Sequence, residues 1–329
     1  VVKELDLENE RTDIPLSFNA SFSDITLDDE LNVTILHNCS NSIICSHHKA
    51  SGELISIFKL LGEYNFSIKG SLSRAGNLAA VTSDFNMKVS IFDTSTGKIV
   101  ANRTNDYDVT DIQLSSDGST VMTVHKSWYL NVISIWRVSD SKVLYEKVIE
   151  GEGIEHMCAT ALSSDGKLAL SFKQTGKVIK NYVMRVGDSK QIFNFNESQQ
   201  IVQAAAFSPD CSLLITGGNN PQPLIFRVRD GAILHELRGF NVYGNAARDF
   251  RFSGDNRLVI ARSVCPFLMM WSVEDGSMLR KFSANSSLTA WIPLKSCLNY
   301  NGKVVVVAGN IFQSLGIPRY HLEKILTVL

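Results

Sequence analysis

The stretch that decides the fold is Ala205-Ala206-Phe207-Ser208-Pro209-Asp210-Cys211-Ser212-Leu213-Leu214-Ile215-Thr216. An apolar strand ends, a Ser-Pro-Asp turn follows, and a second apolar strand begins. Further on comes Leu224-Ile225-Phe226-Arg227-Val228, then the turn Asp230-Gly231, then Ala232-Ile233-Leu234-His235-Glu236-Leu237. The unit therefore reads as four short strands separated by three turns. Gly, Asp and Ser suit such turns because they tolerate positive φ or bond their own backbone.

The unit recurs along the chain. Its first turn returns as Ser73-Arg74-Ala75-Gly76, Ser115-Ser116-Asp117-Gly118, Ser163-Ser164-Asp165-Gly166, Ser253-Gly254-Asp255-Asn256 and Asn299-Tyr300-Asn301-Gly302. A weaker copy spans Leu27-Asp28-Asp29-Glu30-Leu31. The turn ends fall at 31, 76, 118, 166, 211, 256 and 302, spaced by 45, 42, 48, 45, 45 and 46 residues. The third strand repeats as Val89-Ser90-Ile91-Phe92, Ile133-Ser134-Ile135-Trp136 and Met269-Met270-Trp271. A four-stranded sheet of this size cannot bury its own faces. Stacking such sheets in a ring buries both faces and removes the ends.

The expectation is an all-β, seven-bladed β-propeller of four-stranded antiparallel blades. Its blades are expected near 21–62, 63–105, 106–150, 151–198, 199–240, 241–285 and 286–329. Residues 1–20 read as an N-terminal strand or linker, with Val1 to Leu7 placed to add an outer strand to the last blade or to belong to a preceding domain. Gly316-Ile317-Pro318 is expected to interrupt any strand in the seventh unit.

The Ser-x-Asp-Gly turns and the aromatics ending the third strand (Phe92, Trp136, Phe226, Trp271) resemble the WD-repeat β-propeller family over roughly 21–329. The name-giving Trp-Asp pair is replaced by Phe92-Asp93, Trp136-Arg137, Phe226-Arg227 and Trp271-Ser272, and the opening Gly-His pair is absent. The usual Asp-His-Ser-Trp network is reduced to Asp84, so apolar packing is expected to hold the blades. The degenerate repeats are also similar, at the level of fold, to the C-terminal propellers of NACHT-and-WD-repeat or apoptosome-like proteins. That resemblance implies a domain within a larger multidomain protein, as does the absence of an initiating Met.

Composition narrows the function. The chain of 329 residues is 44% apolar and 20% charged, with a net charge of -1. That balance fits a folded domain and disfavours a nucleic-acid partner. No apolar run reaches the length of a membrane-spanning helix and no signal peptide is visible, so a membrane partner is not expected. The six cysteines are scattered and read as reduced, which favours the cytoplasm. Seven Asn-x-Ser/Thr sequons, at Asn19, Asn32, Asn38, Asn65, Asn102, Asn196 and Asn285, keep a secreted or lumenal location as the lesser option.

No nucleophile elbow, phosphate loop or metal-ligand spacing is present, so no enzyme activity, no cofactor and no metal are expected. His47-His48 beside Cys45 reads as a partly exposed strand end, since neighbours on a strand point to opposite faces. Asp117, Asp165, Asp210 and Asp255 share one repeat position and read as turn residues, and Trp136 and Trp271 as core.

Function usually lives in loops on a rigid scaffold, and the resemblance to WD-repeat propellers implies that one rim carries the loops between strands two and three and between successive blades. That rim would carry 84–88, 125–129, 218–222, 263–267 and the inter-blade connections, with the aromatics Tyr64, Phe85, Tyr107, Trp128, Tyr129, Phe240, Tyr243 and Phe267. The expected partner-binding residues are Trp128, Tyr129, Phe85, Tyr107, Tyr64, Tyr243 and Phe267, with Trp128 and Tyr129 foremost. Aromatics anchor protein interfaces. Glu63, Asp106, Asp108, Glu152 and Glu155 make the rim mildly negative and suit a basic or mixed peptide. The expected function is a non-catalytic protein-interaction scaffold or ligand-sensing propeller, with a protein partner or other domains of the same chain. The alternative is a cap or accessory domain of a peptidase or oxidoreductase.

Overall fold

The computed structural model describes residues 2–5, 11–14, 20–28, 30, 32–39, 42–49, 53–62, 69–83, 86–126, 130–150, 160–175, 178–194, 202–218, 222–240, 247–263, 267–283, 289–298, 304–313 and 318–326, with side chains described within 23–281. Six four-stranded antiparallel sheets follow one another along the chain as the blades of a β-propeller. Blade one runs through Ala20–Leu27, Val33–Cys39, Ser42–His48 and Leu54–Gly62. Blade two comprises Gly70–Leu72, Leu78–Ser83, Lys88–Asp93 and Ile99–Thr104. Blade three comprises Asp111–Leu114, Thr120–Lys126, Leu130–Arg137 and Val143–Glu150. Blade four comprises Ala161–Leu162, Leu168–Thr175, Val178–Arg185 and Gln191–Asn194. Blade five comprises Val202–Phe207, Leu213–Gly218, Leu224–Arg227 and Ile233–Glu236. Blade six comprises Ala247–Phe252, Leu258–Ser263, Phe267–Ser272 and Met278–Ser283.

The expected seven four-stranded blades are corrected to six. Within 286–329 the described residues form three long strands, Thr289–Leu298, Val304–Gln313 and Pro318–Leu326, where four short ones were expected. Pro318 opens a strand here, where its missing N–H is tolerated. Two N-terminal strands, Val2–Leu5 and Arg11–Ile14, complete a five-stranded sheet, and Val2–Leu5 runs parallel to Pro318–Leu326. Its strand Thr289–Leu298 lies beside the innermost strands of blades six and one.

The cores sit between blades, as the alternation of side chains dictates. On the second strand of blade three, Val121 packs into a cluster with Ala80, Val89 and Ile91 of blade two, while its neighbour Met122 packs with Ala169, Phe172 and Met184 of blade four. Successive residues thus serve opposite neighbours. Middle strands are buried on both faces and read as apolar runs, whereas the outer strand Ile99–Thr104 is largely exposed. Trp136 and Trp271 are fully buried, each in the cluster between its own blade and the preceding one.

A serine-aspartate turn recurs from blade to blade among the described residues. In blade three, Ser115 Oγ donates to Asp117 Oδ1 at 2.6 Å and accepts from the Thr120 N–H at 3.0 Å. The same pair of bonds recurs at Ser163, Ser208 and Ser253. Each hydroxyl closes the hairpin between the first and second strands. The turns end in the left-handed region at Gly76, Gly118, Gly166, Cys211 and Asn256.

Among the described residues the innermost strands share no ladder across blades, and side chains bridge them. Asp24 Oδ2 accepts from the Leu72 N–H at 2.9 Å, and Ser71 Oγ accepts from the Leu114 N–H at 3.1 Å. Gln113 accepts from the Leu162 N–H and donates to the Thr160 carbonyl. These strands enclose a polar central cavity of about 650 Å3.

Candidate interaction surface

Tyr107 lies on the connection between blades two and three, and it is the expected site residue whose side chain the structure describes. The connection is held by its own backbone. The Asn105 N–H and side-chain amide both donate to the Met87 carbonyl, and the Val109 N–H donates to the Asn86 carbonyl. Thr110 donates through its N–H and its hydroxyl to the Val124 carbonyl. The loop 86–87 of blade two and the connection thus form one tied unit. Asn86 reaches the required bend with φ of 65°, a region Asn tolerates better than most residues.

His125, at the end of the second strand of blade three, supports Tyr107 from beneath. Its Nδ1 donates to the Asp108 carbonyl, and its ring meets Tyr107 edge to face with centroids 5.8 Å apart. Burial lowers the His125 pKa, against the opposing pull of Asp108 and Glu146, so the ring favours its neutral form. Tyr107 itself is 47% exposed, with the exposed carboxylates of Asp106 and Asp108 on either side and exposed Met87 close in the same unit. A ring held on a rigid, acid-flanked loop can meet the side chain of a basic or amphipathic partner.

The remaining expected site residues are placed less fully. Phe267 begins the third strand of blade six. Trp128, Tyr129, Phe85, Tyr64 and Tyr243 lie outside the described residues, as does Asp84. Phe240 is a correction to the rim: it is buried and stacks on Trp271 with centroids 5.6 Å apart, so it belongs to the core between blades five and six. The Trp271 indole N–H donates to the Arg238 carbonyl nearby.

The His47-His48 step also differs from expectation. The two rings do point to opposite faces and the strand ends at His48, but only His47 is partly exposed, and His48 is buried. His47 bonds Thr34 and the Thr94 carbonyl of blade two, and His48 is buried with Nε2 3.0 Å from Ser46 Oγ. His37 shares the same Ser46 hydroxyl at 2.7 Å. Cys45 and Cys211 are free thiols, and burial pushes Cys45 up to about 12. Among the described residues, no three His, Cys, Asp or Glu side chains converge as a metal site.

One polar cluster escaped sequence reasoning. Lys147 Nζ donates to the Tyr182 hydroxyl at 2.9 Å and lies 5.1 Å from the centre of its ring. Burial raises that phenol, but the bonds with Lys147, Ser171 and Tyr145 together outweigh it and hold Tyr182 below the ordinary tyrosine range. The pair is 35 residues apart on different blades, so no local spacing could have announced it.

The blades and the central cavity define the chain as a β-propeller. No protein-family model matches it, and no curated protein matches it either.

Proposed function

We propose that this propeller is a WD-repeat-like, non-catalytic protein-interaction scaffold of a larger cytoplasmic protein. Its partner is a protein or peptide segment of basic or mixed character, and neither nucleic acid nor a membrane surface is its ligand. The observation that supports this reading is Tyr107: an exposed ring between two carboxylates on a loop fixed by five hydrogen bonds to the neighbouring blade edges. A preorganised anchor of this kind loses little entropy on binding. The near-neutral total charge agrees with a local rather than global electrostatic attraction.

The test compares affinity capture by three folded proteins: the parent, a rim variant carrying Tyr107→Ala with Trp128→Ala and Tyr129→Ala, and Arg229→Ala on the opposite rim. Captured proteins are identified by mass spectrometry, and each interaction is then measured with purified partner. The rim variant is expected to lose at least about tenfold in affinity, consistent with removal of an aromatic hot spot, while Arg229→Ala retains it. Equal binding by all three would remove the rim from the proposal.

A further inference from the structure

The wall of the central cavity carries charges at one repeated position. Asp24, Lys69, Asp111 and Asp249 each stand three residues before the end of an innermost strand, at Leu27, Leu72, Leu114 and Phe252. The bulges in the innermost strands of blades one and six fall before Asp24 and Asp249, so the count back from the strand ends is unbroken. All four residues line the cavity.

Two of these charges are spent on the protein itself. Arg251 lies 3.1 Å from Asp24 and 3.7 Å from Asp249. The other two are not. Lys69 and Asp111, on neighbouring blades and both partly exposed to the cavity, form no ion pair with each other or with another described residue. The Asp111 carboxylate accepts the adjacent Ile112 N–H at 3.0 Å, which leaves its other oxygen open. Asp249 Oδ2 is buried and has no hydrogen-bond partner among the described residues. Blades four and five bring no charge to this wall and contribute Ala161, Ala205 and Ala206. The cavity of about 650 Å3 lies within the roughly 300–1,000 Å3 of small-molecule sites.

We propose that the central cavity binds a small zwitterion, a free amino acid or dipeptide with an apolar side chain. Its carboxylate meets the Lys69 ammonium, its own ammonium meets the Asp111 carboxylate, and its side chain lies towards the alanines. The open Asp249 Oδ2 is a further acceptor for an N–H of the ligand. A molecule of one charge would satisfy one wall group and leave the other unmatched in a partly desolvated site. The site is separate from the Tyr107 rim and does not depend on it.

Isothermal titration calorimetry on the full chain tests this with L-leucine and L-leucyl-L-leucine. Isocaproate keeps only the carboxylate of leucine, and L-leucinamide keeps only its ammonium. At least one zwitterion is expected to bind, and both single-charge analogues to bind roughly tenfold more weakly or worse. Lys69→Gln and Asp111→Asn are each expected to raise the dissociation constant of the zwitterion roughly tenfold. The analogues should separate the two walls: Lys69→Gln weakens isocaproate and spares leucinamide, and Asp111→Asn does the reverse. Melting curves establish that each variant folds, and the analogue series on the parent needs no variant. Absence of binding by both zwitterions, a zwitterion held no better than its analogues, or affinity indifferent to both substitutions would overturn the proposal.

Discussion

Gly166 and Ser189 occupy the left-handed region, with φ of 67° and 57°, and the two positions make opposite demands. At Gly166 a Cβ would stand 2.6 Å from the Cβ of buried Thr120, so an added methyl meets both backbone strain and a packed neighbour. Gly166→Ala is expected to lower stability by about 2 kcal/mol or more, since the left-handed conformation alone costs an L-residue roughly 1–2 kcal/mol. At Ser189 the same strain is already present in an exposed turn. Ser189→Gly relieves it at the cost of a more flexible unfolded chain, and is expected to raise stability by about 0.5 kcal/mol. Denaturant unfolding of the two variants checks the pair, and equal signs would refute the account. These turns were legible in sequence wherever Gly ends them. At Cys211 and Asn256 only the repeat spacing marks the same conformation, because neither residue type requires it.

Blade one shows how an element can carry a titratable core. His37 is buried and shares the Ser46 hydroxyl with His48. Desolvation first, and the neighbouring His48 second, lower its pKa from 6.5 to about 4. The folded state therefore holds His37 neutral, while the unfolded chain takes up a proton as pH falls below 6.5. The stability that depends on neutral His37 is complete above pH 6.5 and is lost progressively down to about pH 4, a change on the order of 3 kcal/mol. A separate acid window belongs to the turns. The Arg227 hydrogen bond holds the Asp230 carboxyl at about 2, and the Ser277 N–H does the same for Asp275, so their contribution is present above pH 3.8 and fades as pH falls towards 2. Melting temperature against pH should fall in both windows for the parent. His37→Gln should flatten the upper one and leave the lower one intact, and an unchanged upper slope would sink this assignment. The sequence placed the two adjacent histidines on opposite faces but not the burial of His48 or the bond from His47 to the Thr94 carbonyl, because a neighbouring blade 47 residues on supplies that partner. Tyr107 was legible as a loop aromatic, whereas Phe240 read the same way and folds onto Trp271. Whether a loop ring turns inward depends on a gap between blades that local spacing does not encode.

At the scale of the molecule the period of about 45 residues gave blades and turns alike, since each repeat must bury its faces against the next. The closing region was harder, because there the short-strand rhythm stops and the two ends of the described chain enter one five-stranded sheet. The decisive contacts are long-range. Arg251 of blade six donates to Asp24 of blade one at 3.1 Å, across 227 residues of sequence, and lies 3.7 Å from Asp249. Asp24 is buried and also accepts the Leu72 N–H, so one carboxylate links blade six, blade one and blade two on the wall of the central cavity. Removing the guanidinium would leave a buried acid short of its cation, which costs more than losing an exposed ion pair. Arg251→Leu is expected to destabilise the fold by about 2 kcal/mol, less than a fully buried pair because Arg251 keeps some contact with solvent. Asp24→Asn keeps an oxygen for the Leu72 N–H and should cost less. If the two groups act as one clasp, the double variant will be clearly more stable than the sum of the single losses implies, with a coupling of about 1–2 kcal/mol. Additive losses in a chemical denaturation cycle would instead mean that the ring is held by apolar packing between blades, with the ion pair merely resting on its inner wall.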